Sequence, residues 1–158
     1  MRYYLIDKVT ELVPGERIRG VKCVSLTDEV LHDHFPDLPV MPGALIVEAA
    51  AQLTGFLLET TFNQPDRPLL RALMVQIEDA RFYEMARPGD TLDLTARLES
   101  RLEEAAQTSV EVRVGDQRLA RAKLTFVMKA IESERVHEQR RYVYGLWTRD
   151  LKPPITIL

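Results

Sequence analysis

Hydrophobic residues along the chain form one long continuous run. Residues 42–60 are rich in Ala and Leu and apolar on nearly every face, which predicts a helix enclosed by the rest of the protein. Pro42 suits the first helical position, because its missing N–H would be unpaired there anyway. Glu48 lies near the middle of this helix, with Gln52 one turn later on the same face. A buried carboxylate costs several kcal/mol unless it is paired, hydrated or protonated, so Glu48 needs a physical reason.

Around this helix the pattern changes to alternating apolar and polar residues, which is typical of half-buried strands. Residues 3–12 and 17–26 are predicted strands on either side of a Pro-Gly-Glu turn. Four more strands are predicted after the helix, at about 70–84, 91–102, 107–114 and 118–130. With no second long helix in this region to form regular crossovers, the sheet is expected to be mostly antiparallel, which predicts an α+β fold.

A helix that is apolar on most faces requires a strongly curved sheet wrapped around it. Such a sheet leaves open edges and part of the helix uncovered, which favours pairing of two subunits. We therefore expect a homodimer at least.

The pattern changes again after about Lys129. Residues 131–139 are charged and compatible with a helix, residues 140–147 mix basic and aromatic side chains, and Lys152-Pro153-Pro154 ends regular structure. We therefore expect one domain at 1–130 and a C-terminal extension at 131–158. The extension is interpreted either as a docking or partly disordered segment, or as a segment whose aromatic side chains close a substrate tunnel or bind a partner.

The amino-acid composition argues against several classes of function. The chain has 158 residues and a formal net charge of −3, which argues against a nucleic-acid partner. Cys23 is the single cysteine, so no internal disulfide is expected, and a cytoplasmic location fits. The sequence lacks the pattern of a signal peptide, and the apolar run is too short, and interrupted by Glu48, for a membrane span.

A loop rich in proline precedes the helix and contains His34, the type of side chain best suited to proton transfer near neutral pH. Three prolines (Pro36, Pro39 and Pro42) and Gly43 fold the chain back between His34 and Glu48. The two side chains can therefore line one pocket, either in the same subunit or across a dimer. For His34 a structural role is the alternative, and for Glu48 the alternatives are a surface position or pairing with Gln52.

This segment resembles the active-site segment of the FabZ-type 3-hydroxyacyl-acyl-carrier-protein dehydratases. The resemblance is carried by His34-Phe35-Pro36, Pro39-Val40-Met41-Pro42-Gly43, Glu48-Ala49 and Ala51-Gln52, and it extends more weakly from about Tyr4 to Met128. It implies the hotdog fold and release of water from a 3-hydroxyacyl thioester in fatty-acid-type biosynthesis. It further implies a substrate bound to acyl carrier protein, and an assembly that in relatives is often a trimer of dimers.

The resemblance also implies roles for individual residues. His34 is expected to take the C2 proton and Glu48 to protonate the departing hydroxyl group, with Gln52 orienting Glu48 or its water. Gly43 lies in the first helical turn, where backbone N–H groups can stabilise charge on the thioester oxygen. Arg81 and Arg87 are candidates for docking the acidic carrier protein, with a solvated face as the alternative.

No cofactor or metal is expected. His32 and His34 could share a metal by their spacing, but no third ligand stands out. His137 is expected at the surface.

Two departures from the family pattern bear on function. Asp33 stands where the relatives usually have Gly, and Tyr83-Glu84-Met85-Ala86 is less basic than in the relatives, which weakens the case for carrier docking. Two further functions stay open, the second of them because of Asp33 and the C-terminal extension. One is an acyl thioesterase in which Glu48 activates water, and the other is an inactive acyl-binding or assembly subunit.

Overall fold

Helix α1, Gly43–Phe62, is the central element of a computed structural model that describes residues 3–158. The helix begins one residue later than predicted, because Pro42 has an extended backbone (φ −55°, ψ 134°) and precedes the first turn. Asn63 is also extended and ends the helix, with its N–H donating to the carbonyl oxygen of Glu59.

Six antiparallel strands form a single sheet in the order β1-β2-β4-β5-β6-β3. They are β1 (Lys8–Val13), β2 (Arg17–Cys23), β3 (Leu70–Phe82), β4 (Thr91–Arg101), β5 (Ala105–Val114) and β6 (Gln117–Ala130). Helix α1 contacts β2, β3, β4, β5 and β6, so the sheet wraps around it. The predicted α+β architecture, a curved antiparallel sheet around one central helix, is confirmed.

Strand β1 is shorter at its start than the predicted strand 3–12. The backbone of Tyr3 and Leu5 pairs with the side chain of Gln52 instead of with a neighbouring strand. The N-terminal segment thus crosses α1 before the sheet begins, and this crossing places Tyr3 near Glu48.

The core lies between α1 and the concave face of the sheet. Leu53, Phe56, Leu57 and Leu58 of the helix have no exposed surface. Within residues 3–158, α1 is the one helix long and apolar enough to cross a membrane by length and composition, and 67% of its apolar window is buried inside the chain. A core helix has this composition for the same reason, which is contact with apolar side chains on most faces.

A second helix, α2 (Glu134–Trp147), includes the segment of basic and aromatic residues. Val143, Tyr144 and Trp147 are buried, and the Tyr144 ring stacks on Phe56 of α1 with centroids 3.9 Å apart. The expectation that His137 lies at the surface is wrong. Its side chain turns into the core, where it meets Arg71 of β3, and only 9% of the residue is exposed.

Candidate active site

His34 lies in the loop before α1 with its imidazole half buried. The Nδ1 atom is 2.9 Å from the carbonyl oxygen of Val40. Because a carbonyl oxygen only accepts hydrogen bonds, Nδ1 carries the proton in the neutral ring and Nε2 carries the lone pair. The loop closes on itself as well, since the Val40 N–H donates to the His34 carbonyl oxygen at 2.8 Å. Nε2 is therefore the nitrogen able to accept a proton.

Glu48 is half buried on α1 and is held by Gln52. Gln52 Nε2 donates to Glu48 Oε1 at 2.9 Å and to the Tyr3 carbonyl oxygen at 3.0 Å, while Gln52 Oε1 accepts from the Leu5 N–H at 3.0 Å. The two backbone partners decide which end of the amide is oxygen. Since Glu48 Oε1 accepts from Gln52, a proton on this carboxyl group belongs on Oε2. The predicted pairing of Glu48 with Gln52 is present.

Two depressions meet at Glu48. The first lies between the N-terminal segment and α2, where Tyr3, Tyr4 and Arg140 take part in its lining. Burial, and then the negative charge of Glu48, raises the pKa of the Tyr3 phenol. The second, about 220 Å³, runs along α1 and is called the Glu48 groove. Its lining includes Glu48, Gly55, Glu59, Met74, Phe126 and Tyr144.

His34 lines neither of these depressions. Within one chain, therefore, neither space beside Glu48 also contains the imidazole.

Gly43 begins α1 beneath the ring of Phe82. A Cβ atom on Gly43 would lie 2.9 Å from the nearest atoms of that ring, closer than real Cβ contacts. The N–H groups of Gly43 and Ala44 lie at the N-terminal end of the helix, before its first backbone hydrogen bond, whereas the Leu45 N–H donates to the Pro42 carbonyl oxygen at 2.9 Å. Glycine at this position thus serves both the packing of Phe82 and access to the helix N-terminus.

The other predicted residues lie at the surface. Asp33 and His32 are exposed. Among residues 3–158 the non-glycine residues with positive φ are Asp66 and Asp79, so the backbone at Asp33 does not require glycine. The described part of the chain contains no cluster of three His, Cys, Asp or Glu side chains arranged to hold a metal ion.

Both arginines considered for carrier docking are exposed. Arg81 Nε lies 2.9 Å from Asp79 Oδ1, and the backbone N–H of Arg87 donates to Asp90 Oδ2 at 2.8 Å. Asp79 also pairs with Arg121, whose Nη2 lies 3.1 Å from Oδ2, so this group keeps a net positive charge and both Arg81 and Arg87 stay candidates.

Sequence reasoning missed a buried polar cluster at the far end of the Glu48 groove. Glu59 Oε2 accepts from Arg71 Nη1 and from the Tyr144 hydroxyl group, both at 2.8 Å. Arg71 Nη2 donates to His137 Nδ1 at 2.9 Å, and His137 Nε2 donates to the Ile131 carbonyl oxygen at 2.8 Å. We call Glu59, Arg71, His137 and Tyr144 the buried polar cluster.

One signal for this cluster is present in the sequence. Glu59 interrupts the same apolar run as Glu48 and lies on the same helix face, three turns later. Its partners could not be found in the same way, because Arg71, His137 and Tyr144 come from β3 and from α2, far along the chain.

The profile of the FabA-like domain matches residues 1–123. The chain belongs to the FabA-like family. A FabA-like relative from Nitratidesulfovibrio vulgaris, named 3-hydroxyacyl-acyl-carrier-protein dehydratase FabZ, is 45% identical over 96 residues, which are 61% of this chain and 62% of that protein. The FabZ from Thioalkalivibrio sulfidiphilus is 38% identical over 134 residues, 83% of this chain and 90% of that protein.

Solved structures agree with the fold of the FabA-like chain. A hot-dog-like protein from Thermanaerovibrio acidaminovorans matches 84% of this chain and 93% of its own, with a TM-score of 0.62 and 19% identity. A chain of the dehydratase heterocomplex ApeI:P from Xenorhabdus doucetiae matches 74% of this chain and 92% of its own, with a TM-score of 0.58 and 19% identity. The predicted hotdog fold is confirmed.

Proposed function

We propose that this chain is a 3-hydroxyacyl-acyl-carrier-protein dehydratase, which removes water from a 3-hydroxyacyl thioester to give a trans-2-enoyl thioester in fatty-acid biosynthesis. The observation that carries the proposal is the similarity to enzymes of that name, which reaches 38% identity over 83% of the chain. The matched part includes a proton acceptor and a proton donor of the kind this reaction needs.

We assign His34 as the base. Its Nε2 lone pair takes the proton from C2 of the substrate, and the electron pair left at C2 forms the new double bond to C3. The Val40 carbonyl oxygen supports this step, because it holds Nδ1–H and accommodates the imidazolium ion that forms. Negative charge grows meanwhile on the thioester oxygen, and the N–H groups at the start of α1 beside Gly43 are suited to receive it.

Glu48 serves as the acid. A proton on Oε2 passes to the hydroxyl group at C3, the C3–O bond breaks, and water leaves. Gln52 acts as a positioning residue, because its bonds to Tyr3 and Leu5 tie Glu48 Oε1 to the backbone of the N-terminal segment. In the hydration direction the two groups exchange roles.

The active unit is proposed to be a homodimer at least. Strand β3 is an edge of the sheet and exposes Leu73 (45%), Val75 (58%) and Ile77 (48%). Apolar side chains on an unpaired edge favour association with a second strand of the same kind. We propose that this pairing sets the His34 loop of one subunit against the Glu48 groove of the other, since His34 lines neither depression beside Glu48 within one chain. A trimer of such dimers is proposed as the larger assembly.

The substrate is proposed to arrive on acyl carrier protein. Arg87 is an exposed cation near the loop that precedes α1, because the Met41 N–H donates to the carbonyl oxygen of Ala86 at 2.8 Å. A cytoplasmic location accords with the reduced state expected of Cys23.

One assay tests the proposed activity against its alternatives. The protein is incubated with a 3-hydroxyacyl thioester while enoyl absorbance and free thiol are followed together. The expected result is enoyl product without thiol. Release of thiol would instead identify a thioesterase, and absence of both products would identify an acyl-binding subunit.

A further inference from the structure

The Glu48 groove has one apolar wall, and its lining also includes the polar side chains of Glu48, Gln52, Glu59 and Arg140. Glu48, Gln52, Gly55 and Glu59 follow one another on a single face of α1, and the opposite wall is formed by Ala72, Leu73, Met74 and Phe126. From Glu48 to Glu59 the helix advances about 16 Å at its usual rise per residue. Gly55 keeps the middle open, since a Cβ atom there would meet only Ala72 Cβ, at 3.9 Å.

Tyr144 lies at the end of the Glu48 groove. Its side chain and that of Glu59 line the Glu48 groove, and the same two side chains line a second cavity of about 240 Å³. This C-terminal cavity is otherwise largely apolar, with Leu12, Phe56, Ile155 and Ile157 in its lining. Glu59 and Tyr144 are thus the wall between two spaces that would both accept a hydrocarbon chain.

Aromatic packing and hydrogen bonds hold Tyr144 and Glu59 in place. The Tyr144 ring stacks on Phe56, tilts against Trp147 with centroids 5.5 Å apart, and is 3% exposed. Its hydroxyl group donates to Glu59, which Arg71 holds from the other side, and His137 fixes Arg71 in turn. An acyl chain that displaced Tyr144 would leave the buried carboxylate with one donor fewer, which is costly.

This wall comes from the extension and not from the matched family domain. The FabA-like profile ends at residue 123, whereas Tyr144 and His137 lie on α2. The extension therefore adds a feature to the groove that residues 1–123 do not supply.

We infer that Tyr144 ends the acyl-binding groove and sets the maximum length of the substrate chain; this rests on the proposed dehydratase function. An extended acyl chain advances about 1.3 Å per carbon, given a carbon–carbon bond of about 1.5 Å. A groove of about 16 Å therefore holds roughly ten to twelve carbons beyond the reacting centre.

The test compares kcat/KM on 3-hydroxyacyl thioesters of increasing length, from about four to about eighteen carbons. We expect the wild-type value to fall at least about tenfold once the chain exceeds the groove. Tyr144→Ala joins the groove to the C-terminal cavity, so activity on the long substrates should rise at least about tenfold relative to short ones. Tyr144→Phe keeps the ring and should leave the length profile unchanged.

A second variant, at Gly55, changes the width of the groove from the α1 side. Gly55→Val narrows the groove and removes no member of the buried polar cluster, and it should move the cut-off to shorter chains. Tyr144→Leu replaces Tyr144→Ala if the alanine variant does not fold, as judged by circular dichroism. An unchanged length profile in both Gly55→Val and the folded Tyr144 variant would overturn the inference.

Measurements of acyl-thioester binding test the role of Tyr144 independently of the proposed dehydratase activity. Calorimetry with saturated acyl thioesters of the same lengths needs no turnover. If the wild-type protein makes no enoyl product but its affinity stops rising at the groove length, and rises further in Tyr144→Ala, then the dehydratase proposal fails and the wall at Tyr144 stands.

Discussion

The Arg71 guanidinium lies 2.8 Å from the Glu59 carboxylate, and both side chains are 3% exposed. One partner comes from β3 and the other from the last turn but one of α1, so this ion pair joins the edge of the sheet to the core helix. It also holds the carboxylate that receives the Tyr144 hydroxyl group, and with it α2. The pair thus links three elements and the end of the Glu48 groove.

Removing one member of this pair should destabilise the protein strongly. Arg71→Met leaves Glu59 as a buried carboxylate with fewer donors, which we expect to lower the free energy of unfolding by about 3–5 kcal/mol. Lys129→Met removes a partner from the exposed pair with Glu104 (3.5 Å) and should cost at most about 1 kcal/mol. Urea unfolding measures both. A cost for Arg71→Met equal to that of the control would contradict the role given to the pair.

Stability should fall at alkaline pH because of Tyr144. Burial, followed by the charge of Glu59, raises the pKa of Tyr144 well above its ordinary value of 10.0. The folded state therefore holds this proton more tightly than the unfolded state, so the stabilisation is complete below about pH 10 and is lost as pH rises further. Urea unfolding from about pH 8 to pH 11 should give a smaller decline for Tyr144→Phe than for the wild type. The matched control is Tyr142→Phe, since Tyr142 is 59% exposed, and it should decline as the wild type does.

Mixed subunits should show whether His34 and Glu48 meet across a dimer. Alone, His34→Gln and Glu48→Gln should each lower kcat by about 10²–10⁴. In a dimer with composite sites, a co-expressed mixture contains heterodimers in which one site keeps both native groups. Activity should then return to about one quarter of the wild-type value per site. Activity that stays at the level of the single variants would mean that each site lies within one subunit.

The exposed edge at β3 should be the dimer contact. Val75→Lys places a charge among Leu73, Val75 and Ile77, so we expect the mass in solution to fall to that of a monomer, together with loss of activity. Leu102→Lys is the matched control, because Leu102 is 77% exposed beyond the end of β4. Sedimentation velocity measures both variants. Retention of the wild-type mass by Val75→Lys would exclude this edge as the contact.

Addition of a single methyl group at Gly43 should lower the activity of the enzyme. Gly43→Ala brings Cβ to 2.9 Å from the Phe82 ring, which must move. We expect kcat/KM to fall at least about tenfold, because the methyl group lies at the helix N-terminus that is proposed to bind the thioester. The double variant Gly43→Ala, Phe82→Leu relieves the contact with the ring but keeps the methyl group. If the methyl group blocks substrate, the double variant stays impaired; recovery of activity would instead assign Gly43 to packing alone.

Local sequence patterns are sufficient to predict α1, the six strands and their order along the chain. The long apolar run at 42–60 specifies a buried helix, and alternation such as Leu92, Leu94 and Ala96 specifies strands with one face inward, because both patterns depend on neighbours within a few residues. The pairing of Glu48 with Gln52 follows from helix spacing alone.

Contacts between side chains that are far apart in the chain become visible only in the folded protein. Arg71, His137 and Tyr144 come together around Glu59 because β3 and α2 pack against the same helix, and local spacing carries no information about such contacts. For the same reason the basic and aromatic segment of the extension could be read in two ways, until its packing against Phe56 placed Tyr144 at the end of the groove. The tautomer of His34 also needed the structure, since the loop had to fold before Val40 could hold Nδ1.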